Sequence, residues 1–313
     1  MNGKPLSLPF SVRCSQYHAM TITVGCSGWS YEDWIGRFFP FEIRGDSAKR
    51  FEHYAEFFGS VEVNSTFYRM PGDIQVNSWV EKAKTHPGFE FSVKMPRSVT
   101  HEALVNGDDK EALKHALFFE KVLALPLNEV GGLGAILLQM SPSFHNTGNS
   151  FEVLSRFLGS LSVGEFHYAL EFRHKSWLND NHHLLGDVVK LLRDNKITNV
   201  IVDGPGFPFT SELTGDSAYV RFHGRNYDIW YHDEKEDDER IDRYDYLYSE
   251  DQLTPWVPRI REMEERVSRV RVFFNNHGRA KSAKNAFELM DMLHIPHRPK
   301  VVHVQDQAKL DEF

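Results

Sequence analysis

The segment AYVRFH, residues 218–223, is a short apolar run that ends in a polar residue, and seven similar runs occur along the chain. They are ITVGCS (22–27), VEVN (61–64), FEFSVK (89–94), AILLQ (135–139), HYALEF (167–172), TNVIVD (198–203) and VRVFFN (270–275). Most are followed by a loop and then by a helix-like stretch. Eight strand–helix alternations within about 250–290 residues are the number that a closed (β/α)₈ barrel requires. We therefore predict an α/β fold with one (β/α)₈ TIM barrel, whose functional site lies at the C-terminal ends of the strands.

Amphipathic patterns predict several of the connecting helices. Apolar residues at positions 51, 54, 55 and 58 follow the i, i+3, i+4, i+7 spacing of one helix face. Another helix is predicted over residues 183–195. Ser249 and Gln252 match a capping box that opens a further helix, which continues to about Val267.

The pattern also predicts the organisation of the chain. Residues 1–20 are interpreted as an N-terminal extension, 21–296 as the barrel, and 297–313 as a C-terminal tail. The segment 228–251 is acidic, rich in tyrosine and long for a loop, so we interpret it as a functional lid or a locally disordered stretch.

Cysteine content, hydropathy and net charge argue against several classes of protein. The two cysteines, Cys14 and Cys26, give no disulfide framework and predict a cytoplasmic protein. No apolar run approaches the ~18 residues of a membrane span, and the first twenty residues lack a signal-peptide core. The net charge of −8 argues against a protein that coats nucleic acid or acidic membranes.

Polar residues interrupt several strands on one parity only. Because the helix-facing side of each strand must be apolar, this parity predicts polar side chains that point into the barrel near its top. The alternating residues are Glu62 and Asn64, Ser92 and Lys94, Glu171 and Arg173, and Arg221 and His223. Gln139, Asp203 and Asn275 add three more polar strand ends. The alternative interpretation is a buried plug of ion pairs, such as Glu62–Arg221 or Glu171–Arg173.

The predicted top face is cationic although the chain is anionic. Its basic residues are Lys94, Arg97, His101, Arg173, His174, Arg221, His223, Arg225, His277 and Arg279. This excess favours an anionic ligand, most simply a phosphate or carboxylate. The turns 223–225 and 275–279 follow the seventh and eighth strands, where such barrels commonly bind phosphate. The alternative is that their glycines only form tight turns.

Glu62, Glu171 and Asp203 are the candidate catalytic residues, since two carboxylates in a desolvated pocket can divide into an acid and a base. The cofactor stays open, with a divalent metal held by these carboxylates and His223 or His101 as one option, although no HxH, HExxH or CxxC spacing supports it. Aromatic residues near the strand ends favour stacking on a sugar or base. The predicted substrate-binding residues are Trp29, Tyr31, Asn64, Tyr68, Lys94, Gln139, Arg173, Trp177, Arg221, His223, Asn275, Asn276 and His277.

Eight sequence blocks in order resemble the YecE-like family, known as domain of unknown function 72. The blocks are GCSGWSYEDWIGRFFP (25–40), VEVNSTFYRMP (61–71), FSVKMPRSVTH (91–101), LLQMSPSF (137–144), LEFRHKSW (170–177), AYVRFHGRN (218–226), RYDYLYSEDQL (243–253) and VFFNNHGRAKSAKNA (272–286). The resemblance implies a TIM barrel and carries no established reaction. Such barrels are similar in structure to endonuclease-IV-like and sugar-isomerase-like metal enzymes. The resemblance therefore also suggests a role in nucleic-acid or sugar-phosphate chemistry. The dense histidine and carboxylate set of those zinc sites is missing from this sequence.

Three functions follow as hypotheses. The first is an enzyme, a hydrolase or isomerase, acting on a phosphate-bearing sugar- or nucleotide-like substrate. The second is a non-catalytic barrel that binds an anionic ligand. The third is an endonuclease-IV-like DNA-repair nuclease, against which the net charge counts. The expected partner is accordingly a small anionic ligand or a nucleic acid fragment, with no membrane.

Overall fold

The computed structural model describes residues 21–206, 208–227 and 243–304. Eight parallel strands form a closed barrel in sequence order, with the last strand paired to the first. They are β1 (Ile22–Ser27), β2 (Ser60–Val63), β3 (Glu90–Lys94), β4 (Leu133–Gln139), β5 (Tyr168–Glu171), β6 (Thr198–Asp203), β7 (Ser217–Phe222) and β8 (Arg269–Phe274). The predicted TIM barrel is confirmed.

Helices surround the barrel on its outer face. They are α1 (Ser47–Ala55), α2 (Ser65–Tyr68), α3 (Asp73–Thr85), α4 (Asp109–Phe119), α5 (Leu125–Glu129), α6 (Gly148–Leu158), α7 (Gly186–Asp194), α8 (Glu250–Leu253), α9 (Trp256–Arg266) and α10 (Lys281–Met292). Short π-helical segments, Ser98–Ala103 and Glu120–Ala124, flank α4. The β6–β7 connection contains no helix in its described parts, residues 204–206 and 208–216.

The helix boundaries follow from local chemistry. Asp46 caps α1, since its carboxylate accepts hydrogen bonds from the backbone of residues 48 and 49, both at 3.0 Å. The capping box of Ser249 and Gln252 is confirmed. The single helix predicted after it is wrong, because α8 ends at Leu253 and α9 begins after Pro255, which has no amide hydrogen to continue the helical bonding.

The core has two layers. A large cluster fills the space between strands and helices, and a smaller one fills the barrel with Ala135, Leu137, Ala169, Val200, Val202, Tyr219 and Phe273. β1 and β2 approach so closely that a Cβ on Gly25 would lie 2.2 Å from the carbonyl oxygen of Ser60. The strand ends that carry the polar residues are therefore held by packing on both faces.

Two predicted segments lie wholly or mostly outside the described residues. The predicted extension (1–20) lies outside the described residues, as does most of the segment 228–251, of which 243–251 are described. Over the described ranges, no helix has both the length and the apolar composition needed to cross a membrane.

Candidate functional site

An ion pair between β2 and β7 occupies the centre of the barrel mouth. Glu62 and Arg221 are both buried, and the guanidinium binds the carboxylate through two hydrogen bonds, Nε to Oε2 at 2.9 Å and Nη2 to Oε1 at 2.7 Å. Ser27 Oγ and Tyr219 OH donate to the same carboxylate at 2.7 and 2.8 Å. Burial opposes ionisation, but the charge of Arg221 and these hydrogen bonds lower the pKa of Glu62 below its ordinary value. Glu62 is therefore held as a carboxylate.

A second carboxylate, at the end of β5, joins the same network. Arg221 Nη1 donates to Glu171 Oε2, and Arg173 Nε pairs with Glu171 Oε1. Although burial raises the pKa of Glu171, the charges of Arg173 and Arg221 lower it well below its ordinary value. Both ion pairs of the alternative interpretation are thus present. A carboxylate held ionised in this way is poorly suited to donate a proton, so the geometry does not favour the predicted acid–base pair.

Amide and imidazole groups complete the network. Gln139 Oε1 accepts from Arg173 Nη2 at 2.9 Å and from Arg221 Nη1 at 3.2 Å. His223 Nε2 lies 3.2 Å from Arg173 Nη2, and its Nδ1 lies 3.0 Å from Asn275 Nδ2. Burial and the two arginines lower the pKa of His223 to about 3, so its ring is neutral near pH 7. Asn64, beyond β2, donates weakly to Asn275 Oδ1 at 3.4 Å.

Lys94, the last residue of β3, enters the mouth without a carboxylate of its own. Its residue exposure is 7%, and its Nζ lies 3.9 Å from the centre of the Phe67 ring. Within the described part of the chain, no hydrogen bond or ion pair is formed by this ammonium group. Burial, together with repulsion from Arg221 and Arg173, lowers the pKa of Lys94 to about 7.

The predicted phosphate site after β7 and β8 is occupied by the protein itself. The Gly224 amide donates to the Tyr248 hydroxyl at 2.9 Å, and the Gly278 amide donates to the Tyr244 carbonyl at 3.2 Å. The Arg279 amide donates to the Asp33 carboxylate at 2.6 Å. Tyr244, Tyr248 and Asp33 thus use three of the backbone donors that were expected to bind phosphate, so these contacts do not favour a phosphate site at the two turns.

Asp203 lies at the end of β6, but its carboxylate is fully engaged. Arg225 binds both oxygens, at 2.8 and 2.6 Å, and Tyr248 OH donates to Oδ1 at 2.9 Å. Trp256 Nε1 adds a bond to Oδ2 at 3.2 Å. These four donors attach the loop after β7 to β6 and α9. The structure therefore gives Asp203 a bracing position rather than the predicted catalytic one.

The predicted aromatic residues separate into those that pack against other aromatic side chains and one that is exposed at the rim. Trp177, predicted to bind the ligand, is buried in the core, where its ring packs against Phe144 and Phe172 and its Nε1 donates to the Phe144 carbonyl at 2.8 Å. Trp29 packs edge-on against Phe51, with ring centres 5.7 Å apart. Tyr68 stays at the rim with 61% of its surface exposed.

His277 lies in an aromatic stack at the rim of the mouth. Its ring is parallel to Tyr31, at 4.3 Å between centres, and close to parallel to Tyr244, at 4.8 Å. Asn276, by contrast, points away to brace the last helix, donating to the Tyr246 carbonyl at 2.8 Å and to Asn285 Oδ1 at 2.9 Å. The predicted site residues did not include Tyr219, Ser27 or Tyr244. Tyr219 shares the inward parity of Arg221, so the strand pattern contained a signal for it.

The donor set does not match a metal centre. Across residues 21–206, 208–227 and 243–304, no group of three or more histidine, cysteine, aspartate or glutamate side chains is arranged to hold a metal ion. The carboxylates that were expected to do so are bound to arginines. The described part of the mouth instead contains arginines paired with carboxylates, together with Lys94, which pairs with no carboxylate there.

Comparison with known proteins agrees with this architecture. The family described as "Protein of unknown function DUF72" matches residues 23–309, and the chain belongs to that family. It is 26% identical to the UPF0759 protein YunF of Bacillus subtilis, over 88% of this chain and 95% of that protein. It is also 26% identical to the UPF0759 protein YecE of Escherichia coli K12, over 65% and 74% of the two chains.

Solved structures give the same result for the fold. The crystal structure of a DUF72 family protein from Thermotoga maritima superposes with a TM-score of 0.74 at 33% identity, covering 88% of this chain and 99% of that one. A DUF72 family protein from Enterococcus faecalis superposes with a TM-score of 0.71 at 23% identity, covering 90% and 100%. The expected family membership is confirmed.

Proposed function

We propose that this protein is an enzyme whose small substrate carries a phosphate or carboxylate group and binds inside the C-terminal mouth of the barrel. One observation supports this: among the residues that the structure describes, three cationic side chains, Lys94, Arg173 and Arg221, share the mouth with two carboxylates, Glu62 and Glu171. The arginines and carboxylates balance each other. Lys94 is left as the excess charge.

The nearby histidines leave this excess unchanged. His223 is neutral near pH 7, as described above. Burial and the charges of Lys94 and Arg173 also lower the pKa of His101, to about 4. Because a buried charge without a partner is costly, an anionic ligand that reaches Lys94 would stabilise the site.

Catalysis, rather than storage alone, is supported by the position and chemistry of this lysine. It lies at the C-terminal end of a barrel strand, the face on which barrels of this class carry their active sites. A lysine whose pKa lies near neutrality can exchange protons or act as a nucleophile at physiological pH. A barrel that only stores its ligand has no requirement for such a group.

The test is calorimetric titration with inorganic phosphate and with phosphate-bearing sugars. We expect the wild-type protein and Lys94→Arg to bind, and Lys94→Met to bind at least about tenfold more weakly, since a charge-assisted contact contributes about 1.4 kcal/mol or more. Lys190→Met is the matched control, because Lys190 lies on the exposed face of α7 and pairs with Asp194. Equal affinity of Lys94→Met and wild type would contradict the proposal. Binding without turnover of any bound compound would favour the non-catalytic barrel.

A further inference from the structure

We infer that Lys94 is a catalytic nucleophile whose amine attacks the carbonyl carbon of an aldehyde, ketone or 2-oxo acid bearing the anionic group, and forms an imine. This inference rests on the proposed function and specifies its substrate class. It adds to the anionic group a second requirement, a carbonyl carbon within reach of Nζ.

The contacts around Lys94 differ from those of a lysine with a structural role. A structural lysine in a buried site normally meets a carboxylate, but both oxygens of Glu62 are bound by Arg221, Ser27 and Tyr219. Both oxygens of Glu171 are likewise bound by arginines. Nζ instead faces the ring of Phe67, 3.9 Å from its centre. Among the described residues, the amine is therefore left without a carboxylate partner.

The surroundings also keep the amine reactive. Only a neutral amine is a nucleophile, and the charged form of Lys94 is disfavoured by burial and then by Arg221 on β7 and Arg173 after β5. Glu171 and Glu62 act in the opposite direction and are outweighed. His101, on the π-helical segment after β3, is neutral near pH 7. With its pKa at about 7, Lys94 has a neutral fraction about 10³-fold larger than an exposed lysine at that pH.

The reaction balances without a redox partner. The nitrogen lone pair forms a C–N bond to the carbonyl carbon, whose oxygen takes up a proton to give a carbinolamine. Loss of water then leaves the C=N bond, so amine and carbonyl yield imine and water. Protonation of the imine restores a positive charge in the mouth, where the anionic group of the substrate balances it. The resulting iminium withdraws electrons from the neighbouring carbon, which is the chemistry of aldol cleavage and of dehydration.

The experiment compares pyridoxal 5′-phosphate with pyridoxal, two aldehydes that differ in the phosphate group. Each is incubated with the full chain near neutral pH, any imine is reduced with borohydride to a stable secondary amine, and labelled lysines are located by peptide mass spectrometry. We expect the phosphorylated aldehyde to label Lys94 at least about 10²-fold faster than Lys190, whose pKa is raised by its hydrogen bond to Asp194. Pyridoxal should label Lys94 more slowly, and inorganic phosphate should protect it.

Two variants and a pH series separate this inference from the proposed function. Lys94→Arg should keep phosphate binding and lose the label, whereas Lys94→Met should lose both. In the wild type, the labelling rate of Lys94 should rise with a midpoint at about pH 7, a readout that needs no variant to fold. Phosphate binding without preferential labelling of Lys94 would overturn the inference and leave the proposed function intact. Absence of both would overturn both. Labelling of Lys94 at equal rates by the two aldehydes, without protection by phosphate, would support the nucleophile and overturn the anionic substrate.

Discussion

Arg221 and Glu62 meet through two parallel hydrogen bonds across the barrel, from Nε to Oε2 at 2.9 Å and from Nη2 to Oε1 at 2.7 Å. Because both groups are buried, removal of one leaves the other charge without its partner. We expect Arg221→Met to lower the free energy of unfolding by about 3–5 kcal/mol. The double variant Arg221→Met/Glu62→Gln should recover part of this loss. Urea unfolding followed by circular dichroism measures both, and a loss below about 1 kcal/mol for the single variant would contradict the pairing.

Glu171 partly neutralises the positive charges of Arg173 and Arg221. Substitution of Glu171 by Gln removes one negative charge from the mouth, so we expect phosphate to bind about 3- to 10-fold more tightly, and the fold to lose stability. Titration calorimetry on a sample whose folding is verified measures the affinity. Glu165→Gln, at an exposed position before β5, is the matched control. If Glu171 instead acts as a general base, the variant would lose turnover without a gain in affinity.

Lys94 makes stability depend on pH. Its pKa in the folded protein, about 7, lies below that of an unfolded lysine, about 10.4, so between these values the unfolded chain binds a proton that the folded chain does not. Stability from this group therefore rises with pH across that window. We expect Lys94→Met to be more stable than wild type near pH 6.5 by about 1–4 kcal/mol, a difference that shrinks as pH approaches about 9.5. A difference independent of pH, measured by thermal unfolding, would show that Lys94 is not buried as a charge.

Gly278 allows the segment at 243–248 to pack over the end of β8. A Cβ at this position would lie 2.9 Å from the Cα of Asp245, closer than such atoms normally approach. We expect Gly278→Ala to displace this segment, and with it Tyr244 from its stack on His277, and so to weaken phosphate binding. Gly148→Ala, where nothing lies within 4 Å of the added carbon, should leave binding unchanged. Identical affinities of the two variants would contradict a contribution of this segment to the site.

The alternation of inward and outward side chains along the strands predicted more of the site than the chemical type of each residue did. The period of two placed Glu62, Lys94, Arg173 and Arg221 inside the barrel because the outer face of a covered strand must be apolar. Parity gives no distances, however, so it left open whether the arginines face a ligand or the carboxylates. That choice depends on how the closed barrel arranges β2, β5 and β7 around its mouth, which brings Glu62 and Glu171 to the same guanidinium.

Two other predicted site residues make contacts that strand parity did not reveal. Trp177 and Asp203 were assigned to the site because they lie near strand ends in the sequence. The short helical turn at 175–177 instead buries the indole, and Asp203 meets Arg225, Tyr248 and Trp256 from later parts of the chain. Proximity to a strand end does not reveal such long-range partners.

The measurement that tests the central claim most directly is the proton uptake that accompanies phosphate binding. Calorimetric titration is run at about pH 7 in buffers of different ionisation enthalpy. An anion beside Lys94 raises the pKa of the amine, so we expect the wild type to take up as much as about half a proton per phosphate more than Lys94→Arg, whose side chain is already charged. Phosphate itself also exchanges a proton near pH 7, and this contribution is common to both proteins. Binding with the same net proton uptake or release in both proteins would contradict the assignment of Lys94 as the unmatched charge of the site.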